Sequence, residues 1–479
     1  MWVIVLIVVF LTGVAIHDVT QKKHAILRNF PIIGHLRYLI EKIGPELRQY
    51  VVANNDEELP FSRDQRRFIY ASAKQQNSYF GFGSDNDFDV PGYVLFRHAA
   101  FPHPSPPKPD ADKLAMTKIM GENHGREHAF RPESAVYVSA MSFGSLSAQA
   151  VESLNRGAAI CGALHNTGEG GVSEHHRHGG DLIFQLGTGY FGARNIDGSF
   201  SMDKLVASMA TAPVKAIELK LSQGAKPGLG GVLPGRKVTP DIAAARGVEV
   251  GVTVNSPSSH RSFSNVSEMI NFIEDIGRET GRPVGIKSAV GEKAFWRELA
   301  EQMATTRRGP DFISIDGGEG GTGAAPLPFS DHVALPFRHG FSEVYRAFAE
   351  RGLEERVVFL GSGKLGLPTE AMVAMAMGVD GVGVAREAML SIGCVQAQKC
   401  HDDHCPTGVA TQNRWLTRGL DPTDKSVRFA NYVASLRHEL VRLANAMGAE
   451  HPSQVDPSQV EIRMATNEVV PIREMYGYR

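Results

Sequence analysis

Cysteine is scarce in this sequence. The chain has 479 residues and only 4 cysteines, and three of these, Cys394, Cys400 and Cys405, stand in one short segment. A disulfide scaffold spreads its cysteines along a much shorter chain. The sequence therefore predicts a reducing compartment, and the clustered thiols indicate a metal site.

An excess of one charge is also absent. The chain has 50 Lys and Arg, 52 Asp and Glu, and a formal net charge of −2. No basic face is indicated, so we expect no binding to nucleic acid. Repeats, low-complexity tracts and long charge runs are missing too, which excludes repeat architectures. The length predicts one large domain with additions, or two domains.

One long apolar run is present, at residues 2–16. It is slightly short for a membrane span, which needs about 20 residues. No positive residue precedes it and no small-residue cleavage site follows, so a cleaved signal peptide is the weaker interpretation. Lys22, Lys23 and Arg28 follow the run, and the positive-inside rule places the rest of the chain in the cytoplasm. We predict a single anchor to the cell membrane in residues 1–23; the alternative is a buried helix or strand.

Residues 24–130 are predicted to form a helical and irregular N-terminal region. Residues 36–51 have an amphipathic pattern, and Gly44 and Pro45 are expected to split them into two short helices. Residues 101–109 are rich in proline and predict a linker into the catalytic domain.

From residue 135 onward, short apolar runs recur, and a helical pattern follows each one. Such runs are typical of buried parallel strands. Eight units over about 250 residues predict an α/β fold, a (β/α)8 TIM barrel at residues 131–450 with an N-terminal helical extension, C-terminal helices and a tail at 451–479. An open doubly wound sheet is the alternative. A ninth run, residues 182–186, is interpreted as an inserted strand. The eight predicted barrel strands are residues 136–140, 162–166, 216–221, 251–255, 283–287, 312–315, 357–360 and 381–384.

The segments after these strands are rich in glycine and polar side chains. In a TIM barrel the active site lies at the C-terminal ends of the strands, and the loops after strands seven and eight bind phosphate. The segment GSGKLG at residues 361–366 matches G-x-G-x-x-G, but it follows the seventh strand, so it is a weak dinucleotide signal. We predict a phosphate pocket at Gly363 and Lys364, with Ala385 and Arg386 at a helix N-terminus.

Lys287 ends the fifth predicted strand. A buried lysine needs an anionic partner or loses its proton. In a flavin site, a lysine at this place can stabilise the negative charge that builds on the ring during reduction. The alternative is a lysine that reaches the barrel rim.

The cysteines recur as C-x5-C-x4-C within residues 393–412. Structural zinc sites usually use C-x2–4-C pairs and four ligands, so three thiols with His401 or His404 are an alternative zinc site. Thiolates also suit iron–sulfur clusters, and three of them would hold a three-iron cluster. Cys161 stands alone among small apolar residues, as a packed core cysteine does, and a role as fourth ligand stays open.

Five segments together resemble the FMN-binding domain of glutamate synthase: SAMSFGS, NTGEGG, KLSQGAKPGLGGVLPGRKV, DGGEGGTGAAPLP and CHDDHCPTGVATQ. The resemblance covers roughly residues 120–450. It implies a TIM barrel that binds FMN and a [3Fe–4S] cluster. It also implies reductive amination of 2-oxoglutarate to glutamate through 2-iminoglutarate, with hydride from reduced FMN.

The resemblance also implies roles for individual residues. The three cysteines would ligate the cluster, and Lys287, Gln223 and Glu169 are the catalytic candidates. Gln223, Arg236 and Lys220 would bind the substrate carboxylates, because a dianion needs charge-assisted donors. The residues that would bind FMN are Ala140, Met141, Ser142, Asn166, Lys287, Gly320, Gly321, Gly363, Lys364, Ala385 and Arg386.

The sequence departs from the family pattern at several points. Leu229 stands where the family usually has Glu, and Gly318 and Glu319 stand where many members have His-Asp. No glutaminase domain precedes the match, so the ammonia source is expected to be free ammonium, a separate amidotransferase or an alkylamine. A ferredoxin or an NAD(P)H reductase is the expected electron donor. The alternatives are an N-methylglutamate synthase-like enzyme, a hydroxy-acid or IMP dehydrogenase-like FMN barrel, and a non-catalytic electron-transfer module.

Overall fold

The computed structural model describes residues 1–76, 83–104, 113–465 and 467–478. The chain divides into two compact units, residues 1–67 and residues 68–479. The predicted proline-rich linker lies outside the described residues from residue 105 onward.

The first unit is helical. Helix α1 (Trp2–Thr20) contains the apolar run, and α2 (Ala25–Asn29) and α3 (Gly34–Leu47) follow. By length and composition alone α1 can cross a membrane, and almost none of it is buried. The boundary between the two units falls within α4 (Arg63–Ala73).

The predicted break at Gly44 and Pro45 is wrong. Helix α3 runs through both residues to Leu47, and a π-helical turn (Arg48–Val52) continues from it. A proline inside a helix removes one backbone hydrogen bond, but its fixed φ is compatible with the helix. The apolar and polar faces of this segment are therefore continuous along one helix.

The strands of the second unit build one barrel and two small sheets. Strands β2, β3, β4, β5, β8, β9, β10 and β11 are parallel and close into a barrel, which confirms the predicted (β/α)8 fold. The last strand pairs with the first, with Val384 opposite Val138. In chain order the strands are β1 (Val94–Phe96), β2 (Val136–Val138), β3 (His165–Asn166), β4 (Leu182–Leu186), β5 (Val214–Lys220), β6 (Val232–Leu233), β7 (Val254–Asn255), β8 (Val284–Ser288), β9 (Phe312–Asp316), β10 (Val358–Ser362), β11 (Gly381–Val384), β12 (Val460–Arg463) and β13 (Val469–Pro471).

Two of the predicted strand assignments are wrong. The run interpreted as an insertion is a barrel strand, and one run predicted as a barrel strand lies outside the barrel. Residues 182–186 are not an insertion: β4 is the third barrel strand, buried along its whole length and paired with β3 and β5. Residues 251–255 are not a barrel strand, because β7 pairs antiparallel with β6 in a small sheet. Within this run Val252 is 48% exposed and Asn255 is exposed as well, so the run lacks the burial on both faces that a barrel strand has.

The helices cover the barrel, and several of them begin at a side-chain cap. Ser147 accepts a hydrogen bond from the backbone of Ala150 and so starts α5, and Gly162 ends that helix with φ +68. Helix α15 packs on α5, and a Cβ added at Gly157 would lie 2.7 Å from the Ser426 carbonyl oxygen, so this close approach requires glycine. The helices of this unit after α4 are α5 (Ala148–Cys161), α6 (Met202–Met209), α7 (Pro240–Arg246), α8 (Val266–Thr280), α9 (Lys293–Thr306), α10 (Leu327–His332), α11 (Phe337–Ala349), α12 (Pro368–Ala376), α13 (Arg386–Ser391), α14 (Arg414–Thr417), α15 (Pro422–Ala446) and α16 (Ile472–Met475).

The C-terminal tail, residues 451–479, contains both strands and a helix. Strands β12 and β13 form an antiparallel sheet with β1, and α16 follows β13. The sheet joins a segment that precedes the barrel to the end of the chain.

Candidate active site

An ion pair and an amide meet just beyond the carboxyl ends of β3 and β5, the strands on either side of β4. Lys220, the last residue of β5, lies with its Nζ 2.8 Å from Glu169 Oε1 and 2.8 Å from Gln223 Oε1. The pair is mostly buried. Burial alone raises the pKa of Glu169, but the charges of Lys220, Lys226 and Arg246 outweigh it and hold this pKa below its usual value. The structure thus brings together three of the residues predicted from the sequence.

Two further cations, which are not among the residues predicted from the sequence, lie near this pair. Lys226 and Arg246 are only 3% and 5% exposed, and both act electrostatically on Glu169. Arg246 donates from Nη2 to the Ser142 hydroxyl and the Phe143 carbonyl, each at 3.2 Å. Its Nε is buried and has no hydrogen-bond partner among the described residues. Burial lowers the pKa of both cations, and an anion beside them would favour their charged forms.

His260 lies beside Lys220, the lysine of this ion pair. Its Nε2 lies 2.9 Å from the Lys220 carbonyl and its Nδ1 lies 3.2 Å from the Tyr190 hydroxyl. Burial lowers the pKa of His260 to about 4, so the ring is neutral near pH 7. No motif in the sequence marks this histidine, which ends the polar segment of residues 255–260.

Lys287 in β8 is buried and has an anionic partner. Its Nζ lies 3.6 Å from Asp316 Oδ2 at the end of β9. Asp316 also accepts hydrogen bonds from the Gly224 backbone at 2.9 Å and the Ser362 hydroxyl at 2.6 Å. Burial raises the pKa of Asp316, but Lys287 and these donors together bring it below its usual value. Lys287 is therefore an interior lysine and not one that reaches the rim.

Asn166 belongs to a polar network inside the barrel. Its side-chain amide donates to Glu218 Oε1 at 2.8 Å, and its own oxygen accepts from the Gly168 backbone at 3.0 Å. Glu218 is fully buried and also accepts from Gln185 at 2.7 Å and Ser314 at 2.6 Å. No ion pair joins Glu218 to a cation in the described part of the chain, so neutral donors satisfy this carboxylate.

The predicted flavin loops lie next to each other. A Cβ added at Gly168 would lie 2.5 Å from the Ser142 backbone nitrogen, so the loop after β3 packs directly on the loop of Ala140, Met141 and Ser142. This packing requires the glycine, which also has φ +65.

The predicted phosphate residues lie at the ends of strands β10 and β11. Gly363 and Lys364 both have positive φ, and α13 begins at Arg386 after Ala385. Arg386 lies over Gly321, near Gly320, and donates to the Glu319 carbonyl. Both cations are partly buried, and this burial lowers the pKa of Lys364 and of Arg386.

Arg236, a predicted substrate-binding residue, lies beside the cysteine segment. It is exposed and donates to the His401 carbonyl at 3.2 Å, and its neighbour Lys237 donates to the Cys400 carbonyl at 3.1 Å. Both basic residues therefore support the cysteine segment. The cations beside Glu169 are Lys220, Lys226 and Arg246 instead.

The cysteine segment is an irregular loop after α13. Cys405 is buried, Cys394 and Cys400 are partly buried, and the Tyr70 hydroxyl donates to the Cys394 carbonyl at 2.8 Å. Burial and the neighbouring Cys405 raise the pKa of Cys400. Within the described residues, no three Cys, His, Asp or Glu side chains stand close enough together to hold a metal ion, either with or without His401 and His404.

Cys161 is the last residue of α5. Its thiol donates to the Ala158 carbonyl at 3.9 Å, and burial raises its pKa. The Arg437 side chain donates to the Cys161 carbonyl at 2.8 Å. These contacts are those of a packed structural cysteine.

The donors present fit a flavin better than they fit a cluster. Lys287, Asn166 and the cations Lys364 and Arg386 offer the charges and hydrogen bonds that a flavin ring and a phosphate require. The three thiols have the chemistry for iron and sulfide, but in this structure they are not gathered around one point.

Comparison with known proteins gives the family. Residues 108–450 match the conserved region in glutamate synthase. The chain is 39% identical over 505 residues to the glutamate synthase large subunit-like protein YerD of Bacillus subtilis, covering 98% of this chain and 96% of that protein. It is 35% identical over 319 residues to the archaeal-type glutamate synthase (NADPH) of Thermotoga maritima, covering 66% of this chain and 60% of that enzyme.

Among solved structures, mandelate oxidase with 3,3-difluoro-2-hydroxy-3-phenylpropionic acid matches at 14% identity and a TM-score of 0.44, covering 78% of this chain and 87% of that one. The fold assignment rests on the strand pairing and not on this likeness. The family match covers well over half of the sequence and includes every strand of the barrel. The chain therefore belongs to the glutamate synthase family of oxidoreductases.

Proposed function

We propose that this protein carries out the reductive amination of 2-oxoglutarate to glutamate. The observation that carries the proposal is the cluster of Lys220, Lys226 and Arg246 around Glu169 at the carboxyl ends of the strands. Three buried cations against one carboxylate leave a surplus of positive charge, and a dicarboxylate substrate would balance it.

The reaction needs ammonia, a hydride and a proton. Ammonia adds to the keto carbon of 2-oxoglutarate, and loss of water gives 2-iminoglutarate. Addition of a hydride to the imine carbon and a proton to nitrogen gives glutamate. Free ammonium or a separate amidotransferase would supply the ammonia, and an alkylamine would instead give an N-alkylglutamate.

FMN, when reduced and bound, supplies the hydride for this reaction. The residues that would hold its ring are Ala140, Met141, Ser142, Asn166, Gly320 and Gly321, with Lys287 at the end that becomes negative. Gly363, Lys364, Ala385 and Arg386 would hold its phosphate.

The chain's own residues then have separate tasks. Arg246, with its unpartnered buried Nε, and Lys226 would hold the substrate carboxylates. Gln223 and Lys220 would orient the keto carbon. The Glu169 carboxylate, held ionised by Lys220, would accept a proton from the attacking ammonia and return one when water leaves.

An iron–sulfur cluster on Cys394, Cys400 and Cys405 is proposed from donor chemistry alone. Its task would be to pass electrons from a ferredoxin or an NAD(P)H reductase. Iron and acid-labile sulfide, measured on anaerobically purified protein, test this proposal. Zinc without iron would overturn it.

Helix α1 is proposed as a single anchor in the cell membrane, with the catalytic unit in the cytoplasm. Its support is the length of α1, its apolar composition and the basic residues that follow it. Fractionation of cells tests the anchor: the chain is expected in membranes after a high-salt wash, and recovery in the soluble fraction would overturn it.

The decisive experiment is anaerobic reoxidation. Protein with a flavin spectrum is reduced and mixed with 2-oxoglutarate, with and without ammonium or methylamine. The flavin absorbance is expected to return only when keto acid and amine are both present, and glutamate or N-methylglutamate identifies the amine. Protein without flavin, or with flavin that no amine reoxidises, contradicts the proposal.

A further inference from the structure

Helix α3 exposes a continuous apolar face. Its apolar residues recur at spacings of three and four, which places them on one side of a helix. Each is between 43% and 57% exposed, far above the value for a packed helix face. The residues of this face are Leu36, Leu39, Ile40, Ile43 and Leu47.

The opposite face of α3 is charged. Arg37 and Glu41 form an ion pair of 2.7 Å, and Lys42 is exposed nearby. The helix is therefore amphipathic, and within the described residues its apolar side is uncovered. Soluble proteins rarely leave an apolar face of this length in water, so something else covers it.

The neighbouring helix α1 identifies the kind of partner. It has 19 residues, which corresponds to a length of about 28 Å, close to the hydrocarbon thickness of a bilayer. Its apolar side chains are exposed on all sides, as in a helix surrounded by lipid. The exposed face of α3 thus lies in the same small unit as a helix whose surface fits lipid.

A buried carboxylate links the two helices. Asp18, near the end of α1, is fully buried; its carboxylate lies 2.9 Å from His35 Nε2 in α3 and accepts a 2.9 Å hydrogen bond from the Ile32 backbone. This contact fixes the start of α3 next to the end of α1. Lys22 and Lys23 lie between the helices, where they would meet anionic headgroups.

We propose that the apolar face of α3 lies in the interface of a phospholipid bilayer, beside the point where α1 leaves the hydrocarbon core. The Asp18–His35 contact would then stand at headgroup depth and hold α3 in the membrane plane. This inference rests on the proposed anchoring by α1, and it adds a second, in-plane contact with lipid.

The test places a photoreactive benzophenone side chain at single positions of the full-length protein in native membranes. The position of Ile43 probes the apolar face of α3, and the adjacent position of Lys42 probes its polar face. The position of Val8 probes the proposed anchor. After irradiation, mass spectrometry identifies what each position has bound. Phospholipid adducts are expected at positions 43 and 8, with at least five-fold less at position 42.

The outcomes separate the two proposals. Lipid adducts at position 8 but not at 43 overturn the in-plane contact and leave the anchor standing. No lipid adduct at either position overturns both. A crosslink from position 43 to a second copy, or to another stretch of the same chain, overturns the in-plane contact and names the true partner of this face.

A pair of double variants gives an independent readout. Leu39→Gln with Ile43→Gln makes the apolar face polar, whereas Glu41→Gln with Lys42→Gln changes the opposite face without changing the net charge. Gln is a good helix former, so both pairs keep the helix. The first pair is expected to become several-fold more sensitive to protease between residues 21 and 52 in membranes. Equal sensitivity of both pairs contradicts the proposal.

Discussion

The side-chain amide of Asn166 donates a 2.8 Å hydrogen bond to Glu218, and both side chains are buried inside the barrel. Glu218 receives two further donors, from Gln185 and Ser314. The carboxylate thus fixes which way the Asn166 amide faces, because only its nitrogen can face an acceptor. Glu218, in the interior of the barrel, therefore sets the orientation of Asn166, which is a predicted flavin contact.

The substitution Glu218→Gln should disturb Asn166 without changing the volume of the core. One acceptor oxygen becomes an amide donor that faces other donors, so we expect the free energy of unfolding to fall by about 1–3 kcal/mol. Flavin binding should weaken as well, measured by fluorescence on dilution, because Asn166 loses its fixed orientation. Glu292→Gln, at an exposed residue, is the control. Unchanged flavin affinity would mean that the network is only structural.

The substitution Lys287→Gln removes the cation beside Asp316. We expect a more negative reduction potential for the bound flavin and turnover about 10²-fold slower, because a preorganised charge is lost where negative charge develops. Lys293→Gln, at an exposed lysine paired with Glu343 at 2.7 Å, serves as control. Potentials measured by spectroelectrochemistry decide the matter, and equal values in both variants would contradict this role.

The substitution Arg246→Gln should weaken binding of 2-oxoglutarate. Loss of a charge-assisted hydrogen bond corresponds to about 1.5–3 kcal/mol, or roughly a 10- to 100-fold rise in KM. Arg194→Gln is a matched control, since both guanidinium groups lie over the Phe191 ring, at 5.2 Å and 5.3 Å. Steady-state kinetics should show the rise for the first variant alone, and a fall in kcat without a rise in KM would argue against a binding role.

Acid should destabilise the protein partly through His260. Its pKa lies near 4 in the folded chain, below the ordinary value of 6.5, so the unfolded chain binds more protons between these values. This contribution to stability is therefore complete above pH 6.5 and is lost as the pH falls toward 4. In the His260→Gln variant we expect the free energy of unfolding, measured with denaturant, to fall by about 3 kcal/mol less across this pH window. His332→Gln, at an exposed residue, should leave the slope unchanged.

The sequence predicts the features that depend on local pattern. It does not predict those that depend on which residues lie next to each other in space. Continuous apolar runs and glycine-rich strand ends were enough to predict the barrel. They were not enough to choose between residues 182–186 and residues 251–255, because the run that enters the barrel is decided by its pairing with neighbouring strands. Lys220, Gln223 and Glu169 were found by motif, and the structure brings them into contact.

Arg246 was missed for a related reason. It is the last residue of α7, in an ordinary helical pattern, and only the packing of α7 against the loop of Ser142 carries its guanidinium to Glu169. Arg236 was chosen instead because it stands within the recognisable motif. A basic residue in sequence shows neither the direction of its side chain nor the loop that it reaches.

The pairing of β11 with β2 has a consequence for synthesis on the ribosome. The barrel closes only when the last of its strands in the chain meets the first, with Val384 opposite Val138. Until then the nascent chain presents β2 and β10 as open edges, which are prone to pair with other chains. Chaperones that protect unfinished sheets should therefore act on this protein late in its translation, and truncations before β11 should aggregate.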